Sequence, residues 1–451
     1  MLEKENSINE KQVIHKLQLR LIPFLFILYI ISMMDRVNIS FAALEMNHAL
    51  NISSTAFGVI AGIFFIAYFF FEVPSNVMMH KIGCRVWIAR ILITWGLVTI
   101  GTGFIHTATQ LGIMRVLLGI AEAGFYPGMI LYMTLWFPSK YMGKTLAFFM
   151  TGMALNNIIT APLSTWIMDN VQLWGLEGWR WMFIVEGIPA VAFGIITLFY
   201  LVDRPEQAKF LTPEEKSWLI GQLELERQAK EKKTNASMWE ILKNGRVWHL
   251  SIIWFGYVCA MYGLSMWMPQ LIKSLGQTLS NTSVGLISTI PYFIGVIAMI
   301  TVARSSDKTM ERRYHIGLPI AISAIGLFAL TMTQDIVWSL FWITFSTAGI
   351  YGFAGSYWTL PSSFLSEATA AVGIALINSI GNLGGFVGPY AVGYLKDLTG
   401  SINYSMYVLA GFAILAGVLT ILIPKKLIKI DAIEESPNNL DTTSSVHSSY
   451  N

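Results

Sequence analysis

Apolar residues in this chain gather in runs of about twenty, the length a helix needs to cross a bilayer, and polar residues collect between the runs. Twelve such runs are legible, near residues 20–43, 54–79, 86–105, 109–135, 143–169, 179–202, 247–272, 283–303, 314–333, 336–361, 367–395 and 403–424. The pattern predicts an all-α membrane protein of twelve transmembrane helices.

Three segments break the pattern. Residues 1–19 are polar and charged and read as a cytoplasmic N-terminus. Residues 203–246, "DRPEQAKFLTPEEKSWLIGQLELERQAKEKKTNASMWEILKNGR", mix both charge signs and become helical in character after Thr212 and Pro213. They separate six runs from six, so the expected domains are two bundles, 20–202 and 247–425, joined by a cytoplasmic linker. The tail, residues 426–451, ends in "SPNNLDTTSSVHSSYN" from Ser436, has no apolar periodicity and reads as disordered.

Composition agrees, with 54% hydrophobic and 13% charged residues in 451, far from a water-soluble domain. The first apolar run is too long for a signal-peptide core and lacks a small-residue cleavage site, so it is expected to be retained. Lys and Arg gather before run 1 (Lys11, Lys16, Arg20) and after runs 2, 4, 8 and 12 (Lys81, Arg85; Lys140, Lys144; Arg304, Lys308, Arg312, Arg313; Lys425, Lys426). The opposite loops hold few, which places both termini in the cytoplasm. The net charge of +3 is accounted for by these loops and gives no reason to expect a nucleic-acid partner. Two cysteines, Cys84 and Cys259, are too few for a disulfide framework or a zinc site, and no metal or cofactor is expected. An enzyme is not expected either: the histidines lie mostly at loops and ends, and no H-E-x-x-H motif occurs.

The two halves look like repeats. "HKIGCR" follows run 2 and "RSSDKTMERR" follows run 8; run 5 carries "TAPLS" where run 11 carries "VGPYAVG". Two related bundles with a site between them at mid-membrane is a transporter pattern. "MDRVNISFA" in run 1, "MRVLLGIAEAGFYPGMILY" in run 4, "SSDKTMERR" and "GIALINSIGNLGGFVGPYAVGYLKDLTGS" make the resemblance specific. The chain resembles the major facilitator superfamily, and within it the anion:cation symporter family of sugar-acid, tartrate and hydroxyphenylacetate permeases. The resemblance implies two six-helix pseudo-repeats, a small organic anion as substrate, protons as coupling ion, a monomer, and a place in a bacterial inner membrane. One departure stands in the loop after run 2, where Asn76 and His80 occupy positions at which the family has Gly and Asp; the acid is kept only in the second repeat, as Asp307. With Arg312 and Arg313 it is expected to form a cytoplasmic gate.

Charges inside the runs cost several kcal/mol each, roughly 2.5–3.5 on insertion scales, so they need a reason. At 1.5 Å per residue Asp35 and Arg36 lie roughly 22–24 Å beyond Arg20, while Arg115 and Glu122 lie roughly 9 and 20 Å into run 4 from the other side. Neighbours on a helix point about 100° apart, whereas Arg115 and Glu122, seven residues apart, share a face. The simplest arrangement pairs Asp35 with Arg115 and Arg36 with Glu122. The plain alternative is structural glue between runs 1 and 4. The resemblance implies more: Arg36 for a substrate carboxylate, which a guanidinium fork suits, and Asp35, Glu122 and Arg115 for proton coupling.

Asn156 and Asn157 in run 5 and Asn378 and Asn382 in run 11 are candidate substrate donors, with helix packing as the alternative. Tyr257, Tyr262, Ser356 and Trp358 are the second half's candidates, although membrane aromatics are more often packing or interfacial. Glu72 and Glu186 are buried-looking acids whose partners do not show in sequence. Ionisable groups thus concentrate in the first half, amides, hydroxyls and rings in the second.

Overall fold

The computed structural model describes residues 9–231, 242–364 and 367–424. The expected disordered tail and residues 232–241 of the linker lie outside them. The described chain is all helical. In order come α1 (Glu10–Ala49), α2 (Ser54–Ile82), α3 (Cys84–Thr102), α4 (Ala108–Glu122), α5 (Phe125–Thr134), α6 (Ser139–Asn170) and α7 (Gly178–Tyr200). The linker helix α8 (Pro213–Glu231) follows, then α9 (Gly245–Leu275), α10 (Asn281–Thr309), α11 (Arg313–Leu330), α12 (Ile336–Tyr357), α13 (Thr359–Phe364), α14 (Glu367–Asn382), α15 (Gly384–Thr399) and α16 (Ile402–Ile421).

Among the described residues eleven helices, α4–α5 and α12–α13 each counted as one, are long and apolar enough to cross a membrane. The eleventh predicted run is present as two 16-residue helices, α14 and α15, which meet at Leu383. The fourth is broken directly after Glu122, where Gly124 takes a φ of +81° that favours glycine. A Cβ there would also stand 2.6 Å from Ser75 Oγ, so the break fits only a glycine.

Helix α1 begins ten residues before its predicted run. Its early turns are amphipathic, burying Val13, Ile14 and Leu17, and Lys16 reaches Glu215 of α8 at 2.8 Å. Glu226 of α8 accepts the Ser139 backbone N–H at 2.9 Å, covering the exposed start of α6. The linker helix is thereby fixed under the first half, on what is here named the linker face; the opposite end of the bundle is the far face.

The halves meet through the same helices taken from each side. α2 packs on α15, α6 on α10, and α1 on α9. Small residues allow the approach: a Cβ on Gly58 would lie 2.6 Å from the Pro389 carbonyl oxygen, and one on Gly285 would lie 2.4 Å from that of Ala161. Gly58 and Gly285 sit at matching places in the two repeats, five residues after the N-cap serines Ser53 and Ser280.

Candidate functional site

At the centre of the first half, Arg36 donates through Nε to Glu122 Oε1 at 2.7 Å. Glu122 is fully buried and receives a second bond from Ser32 Oγ at 2.9 Å, one turn before Arg36 on α1. The guanidinium lies 4.9 Å over the Tyr68 ring and 5.6 Å over that of Phe64. From the other half Tyr262 brings its hydroxyl toward the same guanidinium, its ring 4.4 Å from Phe65. The pair is not saturated: Arg36 Nη2 and Glu122 Oε2 are both buried without a hydrogen-bond partner. A cation and an anion, each with one unused polar atom, form a place for a group that carries both an acceptor and a donor.

The expected pairing of Asp35 with Arg115 is not what the structure shows. Arg115 donates to the backbone carbonyls of Asp35 and Ala61, each at 3.4 Å, and lies 5.0 Å over the Phe64 ring. The Asp35 carboxylate turns away, accepting from Trp95 Nε1 and, at 2.9 Å, from Asn38 Nδ2. Depth alone brought these helices to the right level; the direction of Asp35 around α1 was decided by the packing of α3 and α7 on its other side. There Glu186 of α7 accepts from Asn38 Nδ2 at 3.0 Å and from Ser164 Oγ at 2.5 Å. Asn38, three residues after Asp35, could have been read from its helical spacing; Trp95 and Ser164 left no signal in the sequence.

The second half presents rings. Tyr257 is buried in a stack, 4.7 Å from Trp254 and 4.5 Å from Phe353, with its hydroxyl toward Met261 sulfur at 3.2 Å. Tyr357 extends the stack, 4.8 Å from Trp254, and donates to the Leu250 carbonyl at 2.6 Å. Trp358 meets Trp254 edge-on at 4.7 Å. Tyr257 thus lies within this ring cluster, whereas Trp254 Nε1 and Ser356 Oγ are buried without hydrogen-bond partners. Gly381 lets α14 lie against Trp254, since a Cβ there would overlap the ring. On either side of it Asn378 and Asn382 are half-buried, and their side chains make no hydrogen bond among the described residues. Asn156 accepts from Thr160 Oγ1 at 2.9 Å within α6, while its neighbour Asn157 crosses between halves, donating to Tyr351 Oη at 2.9 Å and leaving its own oxygen unpartnered.

Two acids that sequence reasoning passed over fasten the halves at the far face. Asp397, near the end of α15, accepts the backbone N–H groups of Ser54 and Thr55 at the start of α2, at 3.1 and 2.7 Å. Asp169, near the end of α6, accepts the Thr282 N–H and hydroxyl, both at 2.7 Å, and the Asn281 amide at 2.9 Å, at the start of α10. Glu45 adds a bond from Asn281 at 2.6 Å. Asn157–Tyr351 and a weaker Thr282–Thr165 contact also cross between the halves.

At the linker face Asp307 and Arg312 pair at 2.5 Å, and Arg312 also donates to Ser306 Oγ at 3.0 Å. Arg313 takes no part in that pair; its guanidinium lies 5.7 Å from the Tyr314 ring. In the first repeat, where His80 replaces the expected acid, Asp203, at the start of the linker after α7, accepts the Arg85 N–H at 2.7 Å and faces its side chain at 3.8 Å. Glu72, half-buried near the end of α2, keeps Oε2 without a partner.

Known proteins agree with this architecture. The family model described as Major Facilitator Superfamily matches residues 25–389. An Agrobacterium vitis protein described as "Putative tartrate transporter" is 44% identical over 93% of this chain and 96% of its own length. The Acinetobacter baumannii protein "Quinolone resistance transporter" is 36% identical over 93% and 96%, and the Escherichia coli "Inner membrane transport protein RhmT" is 34% identical over 90% and 94%. Among solved structures, a bacterial homolog of the human lysosomal transporter Spinster superposes with a TM-score of 0.73 at 15% identity, covering 89% of this chain and 95% of that one. At that identity the likeness speaks for the fold.

Proposed function

The chain belongs to the Major Facilitator Superfamily of transporters, and from that premise we propose that it carries a small organic carboxylate across the bacterial inner membrane together with protons. Tartrate and related hydroxy-dicarboxylates are the first candidates. The observation that carries the reading is the incomplete Arg36–Glu122 pair: a buried guanidinium with Nη2 free and a carboxylate with Oε2 free. A substrate carboxylate bonds the free edge of Arg36, and a substrate hydroxyl donates to Glu122. Protonating Glu122 loosens its hold on Arg36, so loading a proton and loading an anion favour one another. The free Trp254 Nε1, Ser356 Oγ and the amides of Asn157, Asn378 and Asn382 supply neutral donors and acceptors that select the substrate's remaining groups.

In this reading residues 20–202 and 247–425 rock about the site, both termini are cytoplasmic, the far face is the outer face, and the monomer is the working unit. The far-face fastenings describe a state closed to the outside. Buried acids beside arginines suit protons better than the all-oxygen cage a bound metal cation prefers. Uptake of labelled tartrate into proteoliposomes tests the proposal. An inwardly directed proton gradient is expected to drive accumulation that a protonophore abolishes. Tartrate uptake that ignores the gradient, but exchanges with internal tartrate, would instead make the protein an exchanger.

A further inference from the structure

Asn38 spends both hydrogens of its amide on carboxylates, one on Asp35 Oδ1 at 2.9 Å and one on Glu186 Oε2 at 3.0 Å. Two acceptors on one NH2 group at those distances stand roughly 5 Å apart. Both acids are buried, 1% and 3% exposed, so water does little to separate their charges. The groups that face them can be named helix by helix. On α1 Arg36 is engaged by Glu122, and on α4 Arg115 is turned to backbone carbonyls. On α3 Trp95 and on α6 Ser164 are neutral donors. On α7 the cation Arg180 is taken by Glu177 and by the carbonyls of Gly103 and Ile105.

Three buried acids, Asp35, Glu122 and Glu186, thus share the neighbourhood with two guanidiniums, Arg36 and Arg115. Fully ionised, the cluster would hold an uncompensated negative charge, which an apolar interior does not tolerate. Glu122 has an arginine on its own oxygen; Asp35 and Glu186 have only neutral donors. A proton resides most favourably on one of those two. The bridging amide is built to register it: Asn38 Oδ1 is buried and has no partner. A protonated carboxyl offers an O–H, and turning the amide about its last torsion would bring that free oxygen to accept it.

We propose that Asp35 and Glu186, joined by Asn38, form one proton-binding unit of the transport cycle, so that Glu186 is a coupling residue equal in standing to Asp35. The inference rests on the proton-symport reading. The only bond made and broken is O–H: the proton enters from water on one face, is held by one carboxyl of the pair, and leaves to water on the other. The unit lies between the Arg36–Glu122 pair and the far face, since Ser164 and Glu186 sit within a few turns of the far-face ends of α6 and α7.

The test uses purified full-length protein in proteoliposomes containing a pH-sensitive dye, with tartrate as substrate. Glu186→Gln and Asp35→Asn are each expected to cut tartrate-driven proton movement by about tenfold or more, while tartrate:tartrate exchange persists. A purely structural Glu186 would lose both activities together or neither. Ser164→Ala removes a donor to Glu186 without touching the acid, and is expected to move the pH midpoint of uptake upward by about half a unit or more; this variant reads the unit even if Glu186→Gln folds poorly. Wild-type protein that moves no protons would refute the symport reading. Wild-type coupling alongside unchanged proton movement in Glu186→Gln, or an unmoved midpoint in Ser164→Ala, would overturn the pair.

Discussion

Asp397 accepts the backbone N–H of Thr55 at 2.7 Å, and its counterpart Asp169 accepts that of Thr282 at the same distance. Each acid lies near the end of a helix in one half and covers the unsatisfied N–H groups that begin a helix in the other. The first turn of a helix carries partial positive charge, so the contact joins capping with electrostatics. It can exist only while the halves are closed at that face. A cap of this kind contributes about 0.5–2 kcal/mol, so Asp169→Ala and Asp397→Ala together should shift the closed population by roughly tenfold or more toward opening at the far face. Distances between spin labels on the far-face ends of α2 and α15 should lengthen; unchanged distance distributions would remove these acids from the gate.

Glycine at the same contact gives an independent prediction. Gly285→Ala would place a Cβ 2.4 Å from the Ala161 carbonyl oxygen, which belongs to backbone and cannot swing aside. The closed far face should be lost without loss of the helices themselves, so the variant should keep its circular dichroism spectrum while far-face cysteines become reactive. Labelling equal to wild type would count against the close approach of α6 and α10.

Arg36→Lys keeps the charge but has only one ammonium to divide between Glu122 and substrate, where the guanidinium has separate Nε and Nη2 edges. Tartrate affinity should fall by about tenfold or more, as for other losses of a bidentate charge-assisted contact. Calorimetric titration of the purified variant decides it, and an affinity close to wild type would make Arg36 a structural residue.

The two acid–base neighbourhoods should respond differently to paired substitution. Arg36→Gln strands Glu122 at a cost of about 3–5 kcal/mol, and adding Glu122→Gln should recover part of it because no buried charge is then left alone. Arg115→Gln should gain nothing from Asp35→Asn, since Arg115 contacts the Asp35 carbonyl and not its carboxylate. Thermal melting of the four single and two double variants tests both statements; recovery in the Asp35/Arg115 double would restore the side-chain pairing that the structure lacks.

Much of this protein is written locally. Runs of about twenty apolar residues fix helices that must satisfy their own backbone in lipid, and a charged interruption after residue 202 sets off two halves. Rise per residue placed Asp35, Arg36 and Arg115 at one depth with Glu122 deeper, and because Arg115 and Glu122 occupy one face of α4, it reached the Arg36–Glu122 pair. The Asp35–Arg115 pairing failed on azimuth. Periodicity says which residues of one helix share a face, but not which neighbouring helix that face will meet.

That second choice belongs to the packing of all the helices together. It turned Asp35 toward Trp95, Asn38 and Glu186, buried Tyr257 in the Trp254 stack, and left Trp254 Nε1 and Ser356 Oγ free. It also brought Asp169 and Asp397 to helix starts in the opposite half, where their partners are backbone N–H groups that every residue type but proline carries. Sequence therefore determined the helices, their depth and their twofold repetition, because those follow from hydrophobic length and helical rise. Only the tertiary structure decided which acids meet which donors, because such contacts depend on rotation about each helix axis, and neighbours from distant parts of the chain set that rotation.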